Sequence, residues 1–149
     1  MTASDLASVE ARLPETIRAR ARHVVTENER VLSSVAALEA GDLAAFGAEM
    51  NRSHQSLKDD YAVSTPELDL LVNLAQALPG VLGARLTGAG FGGCTVSLVA
   101  LDALEAFRRE VVAPYQERTG RVAAMFVSPA TDGARVLGLG TQASGLRGR

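Results

Sequence analysis

The chain has 149 residues, 47% of them hydrophobic and 21% charged, which suits a single folded domain burying about 70% of its unfolded surface and excludes global disorder. Lysine and arginine number 15 against 17 acidic residues, for a net charge of −2, so there is no positive field to grip a nucleic-acid backbone, and none is expected as a partner. No apolar run nears the ~18 residues of a membrane span, no basic-then-apolar leader opens the chain, and Cys94 is the single cysteine, which excludes an internal disulfide and points to a cytoplasmic location without a membrane partner.

In chain order, residues 1–14 are expected to be an N-terminal extension, partly disordered. Pro14 marks the entry to a helix from about Glu15 to Ala40, along which Ile17, Val24, Val31, Val35 and Leu38 recur at helical spacing until Gly41 stops it. A second helix starts with Asp42 as N-cap and carries Leu43, Phe46, Met50, His54 and Leu57 in one stripe, with Tyr61 in the turn beyond. The third has the clearest start. Thr65 caps, Pro66 takes the first helical position and Glu67 lies in the first turn, with Leu68, Leu71, Val72, Ala75 and Leu78 on the buried face and Pro79-Gly80 ending it.

Leu86-Thr87-Gly88-Ala89-Gly90-Phe91-Gly92-Gly93-Cys94-Thr95 then places four glycines within six residues between two strand-like runs. Each glycine costs roughly 0.5–1 kcal/mol against alanine, so the cluster needs an offset: left-handed backbone, or amides offered to an anion. The letters Gly88 to Gly93 satisfy G-x-G-x-x-G, but a dinucleotide fold needs a helix next, and Cys94 to Val99 reads as a strand. No G-K-[ST] closes the loop, so it is not a P-loop. Asp102 is placed to cap a fourth helix that turns Leu104, Phe107 and Val111 one way and Glu105, Arg108 and Arg109 to water, with Pro114 near its end or kinking it. Val122 to Val127 reads as a third strand and Val136 to Leu139 as a short fourth. The fold class is α+β, an antiparallel sheet of about four strands packed against helices, in one domain over 15–140 with a flexible tail at 141–149.

The segment from Gly83 to Val96 resembles the third, C-terminal glycine motif of galactokinases in the GHMP kinase superfamily. Ser53-His54-Gln55-Ser56-Leu57-Lys58-Asp59-Asp60-Tyr61, followed by Val63-Ser64-Thr65-Pro66-Glu67-Leu68-Asp69, is similar to the S-H-x-S-L-x-x-D-Y…S-x-P-E-L-D run that precedes that motif. Arg20 to Val25 and Asp132 to Leu137 agree in order and spacing, so the likeness spans about residues 15 to 139. Ala89 stands where the family commonly has a third consecutive glycine, which requires it to keep a negative φ. The family's N-terminal sugar-binding motif and main phosphate loop occur nowhere in these residues. The chain therefore looks like the C-terminal part of a galactokinase, with a GHMP-kinase C-terminal-type fold, and is expected to be inactive alone.

The resemblance implies ATP-dependent phosphorylation of galactose at its C1 hydroxyl, with ATP and Mg2+ bound mainly by an N-terminal GHMP domain as partner. It assigns no catalytic residue to this chain. Thr87, Gly88, Ala89, Gly90, Phe91, Gly92 and Gly93 form a loop near the nucleotide phosphates, and Arg85, Asp60 and His54 are candidate supporting residues. His54, on an apolar stripe, reads as a hydrogen-bonded histidine rather than a catalytic one, and Asp60 as a loop-ordering group rather than a general base. Arg85 either neutralises phosphate or pairs with Asp59, Asp60 or Asp69; its residue type leaves both open. Cys94 reads as a small packing residue. His23 and His54 lie too far apart for a helical metal pair, and no metal site is expected from this chain alone. The alternative function is a non-catalytic binding or dimerisation module derived from a GHMP kinase. A GHMP kinase for mevalonate or homoserine is a third, which the Ser53 to Tyr61 run argues against.

Overall fold

A computed structural model describes residues 2–131 of the chain. The segment expected as a partly disordered extension carries a short helix, α1 (Ala3–Ala7), closed by a capping box in which the Thr2 hydroxyl accepts the Asp5 amide and the Asp5 carboxylate accepts the Thr2 amide. Leu6 is buried against the fold, and a 3-10 turn (Glu10–Arg12) leads to Pro14.

The three long helices begin and end where their punctuation places them. They are α2 (Glu15–Glu39), α3 (Leu43–Asp59) and α4 (Pro66–Ala77). The Asp42 carboxylate accepts the Ala45 amide at 2.9 Å and the Thr65 hydroxyl accepts the Leu68 amide at 3.3 Å, each satisfying one orphan donor of a first turn. Although Leu43 at the start of α3 is 47% exposed, helices α3 and α4 bury most of the expected faces, at Met50, His54 and Leu57 and at Leu68, Val72 and Ala75. Helix α2 does not. Its stripe of Ile17, Val24, Val31, Val35 and Leu38 stays 47–54% exposed, while His23, Val25 and Ala37 face inward.

The sheet among the described residues has two strands, β1 (Val81–Thr87) and β2 (Cys94–Val99), antiparallel, with Thr87 opposite Cys94 and a bulge near Leu82. Helix α3 lies on β1 with backbone nearly touching backbone. A Cβ on Gly83 would stand 2.7 Å from the Gly47 Cα, so neither position accepts a side chain. Val72, Ala75, Leu78, Ala84, Phe107 and Val111 form one core cluster, and Leu57, Val63, Leu68 and Leu86 a second beneath the hairpin tip.

After β2 come a 3-10 turn (Leu101–Ala103), α5 (Leu104–Phe107), a π-turn (Arg108–Val112) and α6 (Ala113–Thr119), ended by Gly120 in the left-handed conformation. Asp102 is therefore not a cap. It lies inside the 3-10 turn, whose flanking residue Ala100 offers no side-chain acceptor. Pro114 does not end the helical run; it occupies the start of α6, directly after a π-helical turn that accommodates its missing N–H.

Among the described residues the segment 122–127 forms no strand. It shows the alternation of one, with Ala123 and Met125 partly buried and Val122 and Phe126 79% and 90% exposed, yet has no ladder to β1 or β2. A period-two pattern needs a neighbouring edge before it becomes a sheet. The fourth strand expected at Val136 to Leu139 and the tail at 141–149 lie outside the described residues. The fold class is α+β, helix-rich with a small antiparallel sheet.

Candidate functional site

The hairpin tip joins β1 to β2 directly, and no helix springs from Gly93. Gly88, Gly90, Gly92 and Gly93 all take positive φ, from +81° to +128°. Ala89 does not, which is the condition its side chain imposes. Phe91 departs from expectation: it holds φ +59° with its side chain 76% exposed, a conformation costing a non-glycine residue about 1–2 kcal/mol.

What holds Phe91 is a backbone bond, its amide donating to the Val63 carbonyl at 2.7 Å. Gly90 rests against the same carbonyl, leaving no room for a Cβ, whereas Gly88, Gly92 and Gly93 face open space. Among the described residues no acceptor meets the amides of Gly88, Ala89, Gly90, Gly92 or Gly93. Five of six consecutive loop donors are thus unspent, an arrangement suited to an anion.

The loop's parts do not all face one space. Gly88, Ala89 and Phe91 line a groove of about 1220 Å³ together with Ile17, Arg20 and Tyr61. Thr87 turns to a second groove, of about 500 Å³, between α2, α3 and β2.

Arg85 pairs with a carboxylate, but not with one of the three expected. Its guanidinium bonds Glu27 at 3.3 Å and the Leu86 carbonyl at 3.1 Å, and so pairs with none of Asp59, Asp60 or Asp69. Glu27 is a hub that also accepts Ser53 Oγ at 2.6 Å and Arg30 Nε at 2.7 Å. Burial alone would raise its carboxyl; the Ser53 and Arg30 hydrogen bonds and the charges of Arg30 and Arg85 hold it below its ordinary value. Sequence reasoning missed Glu27. The signal was there: an acid and Arg30 three apart on α2, between apolar Val24 and Val31, need partners from the fold.

His54 is buried, its Nδ1 accepting the Leu86 amide at 3.3 Å and its Nε2 facing Asp69 Oδ1 at 3.4 Å. Since Nδ1 accepts, Nε2 carries the proton of the neutral ring. Burial lowers the His54 pKa more than the Asp69 charge raises it. Asp69 itself is held below its ordinary value: burial would raise it, but bonds from Ser64 and Lys58 prevail.

Asp60 accepts Arg22 Nη1 and Ser56 Oγ, both at 3.1 Å, while Arg20 donates to its backbone carbonyl. Ser56 spends its one hydroxyl proton on Asp60, so His23 Nδ1, 3.0 Å away, is the donor to Ser56. The Tyr61 ring stacks on His23 at 4.6 Å and lies 5.6 Å from the Arg20 guanidinium. Asp59 diverges to the surface, where Gln55 meets it. Cys94 is exposed at the start of β2 and not packed.

The sequence model of the family described as "GHMP kinases C terminal" matches residues 34–117, more than half of the chain. The chain belongs to the GHMP kinase family. Relatives at 46–58% identity include galactokinases: the galactokinase of a Roseiflexus species is 58% identical over 86% of this chain and 33% of its own length. Among solved structures, Lactococcus lactis galactokinase complexed with galactose superposes with a TM-score of 0.80 at 46% identity, covering 83% of this chain and 32% of that one. A mevalonate kinase of L. major, in complex with R-mevalonate, is more distant, with a TM-score of 0.54 at 25% identity over 78% of this chain and 33% of that one. This GHMP kinase chain spans about a third of the length of the curated relatives it matches.

Proposed function

We propose that this chain is the C-terminal part of a galactokinase active site, which transfers the γ-phosphoryl of Mg-ATP to the C1 hydroxyl of galactose, and that its loop from Gly88 to Gly93 lies beside the nucleotide phosphates. In that reaction the C1 oxygen bonds to the γ-phosphorus, the bond from phosphorus to the bridging oxygen of ADP breaks, and the hydroxyl proton passes to a general base. The observation that carries the reading is the set of five loop amides without an acceptor among the described residues, and the likeness to galactokinases supports the substrate. Phosphoryl transfer is helped mainly by positioning and by donors aimed at growing charge, and backbone amides do both without a proton transfer.

Oriented donors with no acceptor fit a phosphate group, so the residues of this chain that would hold the nucleotide are Gly88, Ala89, Gly90, Gly92 and Gly93. Mg2+ supplies neutralisation of phosphate charge when bound. Its ligands, the general base and the sugar-binding residues belong, in this reading, to N-terminal motifs that these residues do not contain. A cytoplasmic location goes with a supply of ATP.

Titration of the 15N-labelled chain with Mg-ATP tests this. Amide shifts confined to Gly88 to Gly93 are expected, and no shift there at millimolar nucleotide overturns it. A galactose assay accompanies the titration: negligible turnover is expected, and turnover like that of a complete kinase refutes the division of labour.

One observation favours the second reading, a non-catalytic binding or dimerisation module: the uncovered apolar stripe of α2. A defined dimer by light scattering, with the loop amides silent to ATP, would select it.

A further inference from the structure

Among the described residues only one amide of the glycine loop is spent, and its acceptor belongs to the turn that closes α3. That turn is fixed from three sides. Its Tyr61 and Val63 amides bond back to the Ser56 and Leu57 carbonyls at 2.9 and 3.1 Å. The Val63 side chain is buried with Leu57, Leu68 and Leu86. Asp60 is tied to α2 through Arg22 and to α3 through Ser56, with Arg20 on its backbone carbonyl and the Tyr61 ring against His23. Both ends of the contact are unusual in the same way: Ala62 at φ +55° precedes the acceptor and Phe91 at φ +59° carries the donor. Two non-glycine residues held left-handed beside one hydrogen bond indicate that the surroundings determine the backbone there.

We propose that the turn 60–63 is a positioning strut for the glycine loop, in which Asp60, held by Arg22 and Ser56, sets the Val63 carbonyl where it pins the Phe91 amide. The pin falls inside the loop, with Gly88 and Ala89 on one side and Gly92 and Gly93 on the other. It therefore decides where the free amides point. Asp60 is a positioning residue that touches no ligand. The consequence for phosphate rests on the function proposed above; the strut itself does not.

Amide hydrogen exchange on the 15N-labelled chain tests the strut without ligand. Asp60→Ala keeps the backbone carbonyl that Arg20 uses and removes the carboxylate. The Phe91 amide is expected to exchange about fivefold faster or more, with the core amides of Val72 and Leu86 unchanged. Asp60→Asn retains an acceptor for Ser56 but turns a nitrogen toward Arg22, so Phe91 is expected to exchange faster than in the parent and slower than in Asp60→Ala. Unchanged Phe91 exchange in Asp60→Ala overturns the proposal. If that variant fails to fold, Arg22→Gln, altered at a partly exposed side chain, takes its place: faster Phe91 exchange supports the strut, and unchanged exchange overturns it.

Titration with inorganic triphosphate separates the two ideas. Shifts at Gly88, Gly92 and Gly93 that saturate at least about fivefold later in Asp60→Ala support both. No shifts in the parent, with Phe91 protection still dependent on Asp60, remove the phosphate reading and leave the strut standing.

Discussion

His54 Nδ1 accepts the backbone amide of Leu86 across 3.3 Å, so an imidazole on α3 closes an open donor on β1 directly beneath the hairpin. This ring works as part of the scaffold, and its neutral form is the one the fold selects. Burial lowers the pKa of both His54 and His23.

The consequence is a pH profile. Unfolding returns each imidazole to about 6.5, so below that pH the unfolded chain takes up protons that the folded chain refuses. Stability is full above about 6.5 and declines as pH drops through that value toward the lower folded ones. Chemical denaturation between pH 7 and 5 should show this slope, and His54→Asn should flatten it. An identical slope in the variant would mean that His54 contributes nothing to it. A further decline is expected as pH falls below about 4, the ordinary carboxylate range, toward the lower pH at which Glu27 and Asp69, both held low in the fold, take up protons.

Gly90 and Gly88 have nearly the same φ, +81° and +84°, but only Gly90 lies against the Val63 carbonyl. Gly88→Ala should cost about 1–2 kcal/mol for the left-handed backbone. Gly90→Ala adds a collision and should cost about 1–2 kcal/mol more, or displace the loop tip. Urea midpoints of the two variants give the comparison, and equal losses would show that the close approach carries no energy.

Glu27 satisfies Ser53, Arg30 and Arg85 at once with its side chain 22% exposed. Glu27→Ala strands three donors and should cost about 2–3 kcal/mol, while Glu27→Gln keeps most of the geometry and should cost about 1 kcal/mol. Equal losses in thermal or denaturant unfolding would mean that packing rather than donor satisfaction sets the cost.

Much of the local structure is legible in the sequence because local chemistry decides it. Asp42 and Thr65 cap, Pro66 starts and Gly41 stops, and these depend on neighbours within one turn. The hairpin reads correctly because no helix signal follows Gly93, and the negative φ of Ala89 follows from its having a Cβ. What stays hidden depends on distant partners. Arg85 finds Glu27 fifty-eight positions away on α2, where spacing along either element gives no address. Phe91 adopts a conformation that its residue type disfavours because Val63 supplies the compensating bond. The stripe of α2 predicts a helix, as any period near 3.6 does, but period alone does not say which face this chain covers. Segment 122–127 makes the same point for strands.

The contact of Gly47 with Gly83 bears on how the hairpin moves. With no side chains between them, helix and strand have no cushion that could compress or slide, and the root of the hairpin is locked to the buried face of α3. The freedom that remains lies above Thr87 and Cys94, on either side of the pinned Phe91 amide: a stiff handle whose short free segments adjust without disturbing the base that aims them.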